Sequence, residues 1–466
     1  MRILITGGQI VRSTGVETAD ILTENGLIQK IAPNINARAD RVIDASGCLV
    51  FAGFIDTHTH FDLDLGVTVT ADNFSTGTRA ALVGGTTTVL DFATQDRGMS
   101  CRDALDLWHK KAQGSSCNYG FHMALSEWNA ARAAELPELV RQGVTSLKMY
   151  MVYDAMRVDD GKIYRALKQA AEHGCLVGVH CENYDLLQAR TAELLAAGET
   201  APSAHPISRP GAVEAEGVSR LMYTAQLADA PVWVVHLSTA EGLAQAERAR
   251  ARGQQVLLET CPQYLCLTDA CYSEPDAAKF VMSPPLRKPA DIDALLGALQ
   301  RDEIDVIGTD HCSFTMAQKA IGADFSKIPN GGAGVQNRAE IVYTYGVRAG
   351  KMSLVQMAET LSETAARYFG MYPRKGLLRE GADADIVIFD PDCPHEISHR
   401  TNLHNCDNSP YEGIVALGKT RHVILGGKLA VEDGKVIASG LGQFVHRGAG
   451  EMFLRHCGLD PQSRAQ

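Results

Sequence analysis

Val232-Trp233-Val234-Val235-His236, a helix-like stretch over 239–252, and Val256-Leu257-Leu258-Glu259 read in turn as strand, helix and strand. Strands that alternate with helices pair in parallel through right-handed crossovers. The same texture extends in both directions. Upstream lie Phe54-Ile55-Asp56, Thr86-Thr87-Thr88-Val89-Leu90, Tyr119-Gly120-Phe121-His122, Ser146-Leu147-Lys148-Met149 and Leu176-Val177-Gly178-Val179-His180. Downstream lies Val306-Ile307-Gly308-Thr309-Asp310. Further helix-like stretches cover 130–142 and 162–173. Eight such units predict an α/β fold, a TIM-type (β/α)8 barrel, whose reactive residues sit at the carboxyl ends of the strands.

The flanks differ. Residues 1–50 carry short apolar runs broken by turns, with Asn25-Gly26 as a hairpin signal. A similar pattern returns late in the chain, with the alternating Ala384-Asp385-Ile386-Val387-Ile388-Phe389, Gly426-Gly427-Lys428 and a turn at Asp433-Gly434. The two ends predict one small β-sandwich, 1–50 and 375–444, around a catalytic barrel at 51–374. Two unrelated terminal sheets are the alternative. Residues 445–466 lack strong periodicity and read as a C-terminal extension, on the surface or against a partner.

With 466 residues, 45% hydrophobic and 21% charged, the chain can bury a large core as a globular protein. A net charge of -11 without a basic stripe argues against nucleic-acid and anionic-membrane partners. No apolar run reaches the roughly 20 residues that span a bilayer. The 12 cysteines lack scaffold spacing, and the chain opens directly into Met1-Arg2-Ile3-Leu4-Ile5. Reduced thiols in a cytoplasmic protein are the expectation. Cys261, Cys266 and Cys271 lack paired zinc spacing and read as small apolar residues.

The chemistry lies at the strand ends. Residues i and i+2 of a strand point the same way, so His58 and His60 can face one metal. Alone, His-x-His is more often structural. Here His180, His236 and Asp310 each end another run, and imidazoles with an oxygen ligand suit an open zinc site. Lys148 also ends a run. It is either an ordinary ion-paired lysine or a buried amine that takes up carbon dioxide to become an anionic carbamate (N6-carboxylysine). Such a carbamate could bridge two metals roughly 3.5–4 Å apart. Two divalent metals, zinc by donor type, would hold a bridging hydroxide. Asp310 could orient it as general base and return the proton to a leaving nitrogen as general acid. Tyr153 is a candidate oxyanion donor or else a rim aromatic.

The chain resembles the hydantoinase/dihydropyrimidinase group of cyclic amidohydrolases, within the amidohydrolase superfamily. The motifs that carry this include Gly53-Phe54-Ile55-Asp56-Thr57-His58-Thr59-His60, Ser146-Leu147-Lys148-Met149-Tyr150, His180-Cys181-Glu182-Asn183, Val235-His236-Leu237-Ser238, Ser283-Pro284-Pro285-Leu286-Arg287, Gly308-Thr309-Asp310-His311-Cys312 and Pro329-Asn330-Gly331. Tyr153-Asp154-Ala155-Met156 and Asp310-His311-Cys312-Ser313-Phe314 are most similar to the bacterial phenylhydantoinase type.

The resemblance implies a dizinc hydrolase. His58, His60, carboxylated Lys148 and Asp310 would hold one zinc; Lys148, His180 and His236 would hold the other. It gives Tyr153 the oxyanion role, and Ser283 and Asn330 backbone contacts to the ring amide. It implies ring opening of hydantoins or dihydropyrimidines to N-carbamoyl products, and a homotetramer. Arg157 departs from the apolar pocket residues of that family and would meet an acidic substituent or face solvent. Gly331-Gly332-Ala333-Gly334 departs from the usual Gly-x-Pro-Gly. Dihydroorotases carry an Arg where Asp62 stands. A metal-free scaffold homologue would lack the ligands that are all present here.

Overall fold

The computed structural model describes residues 1–460. Eight parallel strands follow one another round a barrel in chain order: Phe54–Thr59, Thr86–Gln95, Asn118–Leu125, Ser146–Tyr150, Leu176–His180, Val232–Val234, Val256–Thr260 and Val306–Ile307. The eighth meets the first through a parallel bridge between Thr59 and His311, where the His60 N–H donates to the His311 carbonyl at 2.8 Å. The expected helices form over Ala130–Arg141, Asp160–Glu172 and Ala240–Ala251, each with a side-chain N-cap, from Asn129, Asp159 and Thr239.

Each strand is buried on both faces, and the alternation divides its side chains between two cores. Val232 and Val234 pack outward under the helices with Val177, Val179 and Leu258. Trp233 points inward beside Leu90, Phe92 and Leu257. A Cβ on Gly178 would lie 2.4 Å from the Trp233 ring, so the neighbouring strand carries no side chain there. Phe369 and Met452 complete this inner cluster.

Within the expected surface or partner-contacting extension, several residues pack against the barrel. Arg447 is fully buried, and its guanidinium donates to Ser146 Oγ at 3.0 Å and to the Phe121 carbonyl. A short helix, Glu451–His456, buries Met452 and Leu454. A few anchoring residues hold this segment, so no repeat marks it. The rest of the expected extension, 461–466, lies outside the described residues.

Strands from both chain ends share one separate nine-stranded sheet, which fits the small β-sandwich. Leu49–Ala52 pairs with Ile386–Asp390 and with Arg2–Arg12, joining the two ends. Ile3, Ile5, Ile21, Val50, Ile386 and Ile424 form its core. The hairpin turns at Asn25-Gly26, Gly426-Gly427 and Asp433-Gly434 all have positive φ at both central residues. Mirror-image turns of this kind match the strand twist and favour these residue pairs.

His404 gives the fold a pH dependence. Its Nε2 accepts the Gln336 N–H at 3.2 Å, which requires an unprotonated nitrogen. Burial first, then nearby His311, pushes its pKa down to about 3 against the opposing charge of Asp72. The unfolded chain takes up this proton below about 6.5, whereas the folded chain resists it down to about 3. Stability therefore falls as pH drops through that window, by up to about 1.4 kcal/mol per pH unit from this residue. His404→Gln is expected to flatten the decline of the thermal midpoint between pH 6.5 and 4.5. An unchanged slope excludes His404 as its source.

Candidate metal centre

The carboxyl mouth of the barrel gathers the histidines. His58 ends up there because Asp56 ties two elements together. Asp56 Oδ1 accepts the N–H groups of His58 (3.1 Å) and Thr309 (3.0 Å), and Oδ2 accepts Thr309 Oγ1 at 2.7 Å. That clasp carries Asp310 across to the first strand. Asp310 Oδ1 lies 3.2 Å from His58 Nε2 and 3.1 Å from His60 Nε2. The His236 ring lies 5.4 Å from that of His58 and 4.5 Å from that of His180. Nitrogens of His58 and His236 and an oxygen of Asp310 fall within 4.8 Å of one another.

Two of these residues stand in left-handed backbone, His236 at φ 38° and Asp310 at φ 52°. Both lie just past the ends of very short strands, Val232–Val234 and Val306–Ile307. Strained φ values at non-glycine positions cost roughly 1–3 kcal/mol and persist where the surroundings enforce them.

Lys148 is 1% exposed on the fourth strand, with its Nζ 5.4 Å from the Phe92 ring centre and 5.1 Å from that of Tyr150. It makes no ion pair among the described residues. Burial pulls its pKa down to about 8, although Asp310 and Glu259 oppose this.

Several charged groups that the sequence reading left without a role surround the histidines. Glu259 Oε1 lies 2.6 Å from His58 Nδ1 and accepts the His236 N–H at 3.1 Å; Oε2 accepts Thr57 Oγ1 at 2.8 Å. Glu182 Oε2 lies 2.6 Å from His180 Nε2 and 2.5 Å from Arg209. Burial resists charge on Glu182, but Arg209 and His180 together outweigh it and hold the carboxyl down to about 2. A signal existed for both acids. Glu182 stands two residues beyond His180, and Glu259 lies in the buried seventh strand, where an unpaired carboxylate is costly.

The donor set fits divalent metal. The carboxylates occupy His58 Nδ1 and His180 Nε2, which leaves His58 Nε2 and His180 Nδ1 for another partner. His236 Nδ1 is buried with no hydrogen-bond partner among the described residues. Burial lowers the pKa of His60 to about 4 and depresses those of His180 and His236, favouring neutral imidazoles. Burial resists charge on His58, but Glu259 and Asp310 outweigh it and lift its pKa to about 9. His58 in turn helps to hold Asp310 ionised. A bound cation would take over the role of that proton.

Tyr153 sits beside this cluster, its ring 5.2 Å from His180, in left-handed backbone at φ 68°. Burial raises its phenol pKa, so it remains a donor. Ser283 lies against it and donates to Asn330 Oδ1 at 3.0 Å. Arg157 stacks on Tyr184 at 4.3 Å and lies 3.6 Å from exposed Asp185. Asp62 caps a helix by accepting the Phe74 N–H. No helix among the described residues is long and apolar enough to cross a membrane.

This mouth of a barrel, with its histidines and one aspartate, coincides with a known domain pattern. Residues 49–430 match the model of the amidohydrolase family. The chain belongs to the amidohydrolase family. This amidohydrolase is 40% identical over 452 residues to a D-hydantoinase of Geobacillus stearothermophilus, covering 95% of this chain and 96% of the relative. It is also 40% identical to a D-phenylhydantoinase of Escherichia coli O1:K1, covering 96% and 98%. The solved dihydropyrimidinase from Brevibacillus agri superposes with a TM-score of 0.95 at 40% identity, covering 97% and 99%.

Proposed function

We propose that this amidohydrolase opens the ring of hydantoins or dihydropyrimidines, giving N-carbamoyl α- or β-amino acids. The observation that carries this reading is the convergence of His58, His60, His180, His236 and Asp310 at one mouth of the barrel. The similarity to D-hydantoinase and dihydropyrimidinase supports the substrate class. The same proposal divides the chain into a catalytic barrel at 51–374, a sandwich built from 1–50 and 375–444, and a C-terminal extension at 445–466.

In this proposal His58, His60, Lys148 and Asp310 hold one divalent metal, and Lys148, His180 and His236 hold a second, with zinc favoured by the imidazole donors. When bound, the metal pair supplies a water of lowered pKa and Lewis-acid polarisation of the carbonyl. Lys148 contributes as its carbamate. Its burial among Phe92 and Tyr150 supports a neutral amine able to add carbon dioxide. Asp310 takes a proton from the attacking water and returns it to the departing ring nitrogen. Tyr153 donates its phenol hydrogen toward the oxygen where charge develops. The backbone of Ser283 and Asn330 binds the ring amide. Arg157, engaged with Tyr184 and Asp185, is assigned no substrate contact.

Zinc-loaded protein tests this reading directly. Dihydrouracil, hydantoin and 5-aryl-hydantoins of both hands are compared by kcat/KM. At least one ring should open. A zinc-loaded protein that opens none of them overturns the proposal, and a protein that holds no zinc and opens no ring favours the scaffold alternative. A homotetramer in the cytoplasm belongs to the same reading; light scattering of the eluted protein checks the assembly.

Glu259 is expected to act through His58. Glu259→Gln removes the charge that orients Nδ1, and changes at such supporting carboxylates weaken metal binding by about 10–100-fold. Competition with a zinc chelator measures it. An unchanged affinity would leave Glu259 a purely structural role.

A further inference from the structure

Lys319 is 1% exposed, ends the short helix Met316–Lys319, and pairs with no carboxylate among the described residues. Its Nζ donates instead to three backbone carbonyls: Val281 at 2.8 Å, Pro329 at 2.7 Å and Gly331 at 2.6 Å. These carbonyls lie on two separate loops. Val281 precedes Ser283 by two residues, while Pro329 and Gly331 flank Asn330 on either side.

Neighbouring backbone groups are also taken. The Gly331 N–H donates to Val281 at 3.0 Å. His205 Nε2 lies 2.8 Å from the Met282 carbonyl, and the Tyr264 hydroxyl donates to Pro284 at 2.6 Å. Along 281–284 and 329–331, the backbone N–H and C=O of Ser283 and Asn330 alone stay without a partner at both groups among the described residues, proline nitrogens aside. A buried ammonium is costly unless fully hydrogen-bonded. Three carbonyl acceptors match its three donors. The arrangement holds two loops in one geometry and leaves the open edges of Ser283 and Asn330 side by side.

We propose that Lys319 is a positioning residue for the reaction, clamping the loops at 281–283 and 329–331 so that the backbone of Ser283 and Asn330 meets the ring amide in register. This rests on the function proposed above. A ring amide held by those edges is held in both ground and transition states, so loss of the clamp weakens binding more than turnover.

The test uses full-length, zinc-loaded Lys319→Met and Lys319→Gln with dihydrouracil and hydantoin, alongside wild type. Methionine keeps the bulk and removes every donor; glutamine retains an amide that can satisfy part of the set. The expected result is a KM raised at least ten-fold in Lys319→Met, a smaller rise in Lys319→Gln, kcat within three-fold and unchanged zinc content. A KM within two-fold of wild type, or a fall in kcat without a change in KM, overturns the proposal. If Lys319→Met does not fold, Lys319→Gln decides, with a threshold of three-fold in KM. Wild type that opens neither ring removes the functional reading, and the clamp with it, and that arm tells this failure from the others.

Discussion

Asp310→Asn is expected to lower kcat by about 10³–10⁴-fold while the protein keeps its metal, a loss at the upper end for removal of a general acid–base group. The substitution isolates proton transfer well. Asn is among the few residues that tolerate left-handed backbone, so the φ of 52° at this position survives. Its amide oxygen can still face His58 and His60, which lie 3.2 and 3.1 Å from the native carboxylate. What it lacks is a site for the proton. Initial rates on hydantoin, paired with zinc analysis of the same sample, give the answer. A variant that turns over near the normal rate would take the acid–base role from Asp310.

Lys148→Ala is expected to lose nearly all activity and most bound metal. The Lys148 amine lies 5.4 Å from the Phe92 ring centre and 5.1 Å from that of Tyr150. Removing it deletes the proposed bridge and leaves four imidazoles and one carboxylate for two dications. Acetate or propionate, with two oxygens like a carbamate, should restore part of the rate and of the zinc content. Mass analysis of the native protein should show the added carbon dioxide. A fully active variant without rescue, or an unmodified amine in a protein holding two zincs, would contradict the bridge.

Much of this was legible along the chain. The eight apolar runs became the eight barrel strands because a strand buried on both faces has little choice but apolar side chains. Asn25-Gly26, Gly426-Gly427 and Asp433-Gly434 were readable as turns because mirror-image hairpins demand residues that accept positive φ. His58 and His60 declared a shared direction through the period of two. The burial of Arg447 and Met452 was not legible because each is a solitary anchor, and solitary anchors produce no period.

The sequence by itself determined the barrel, the hairpins of the outer sheet and the kinds of side chain available for metal chemistry, since all three follow from local periodicity and residue type. Only the tertiary structure decided which groups meet. Asp56 draws Thr309 and hence Asp310 to His58 across 253 positions, Glu259 fixes the imidazole of a residue 201 positions away, and Lys319 joins two loops through their carbonyls. Contacts between strand ends depend on closure of the barrel, and backbone carbonyls are the same in every residue, so neither leaves a mark on the order of the amino acids.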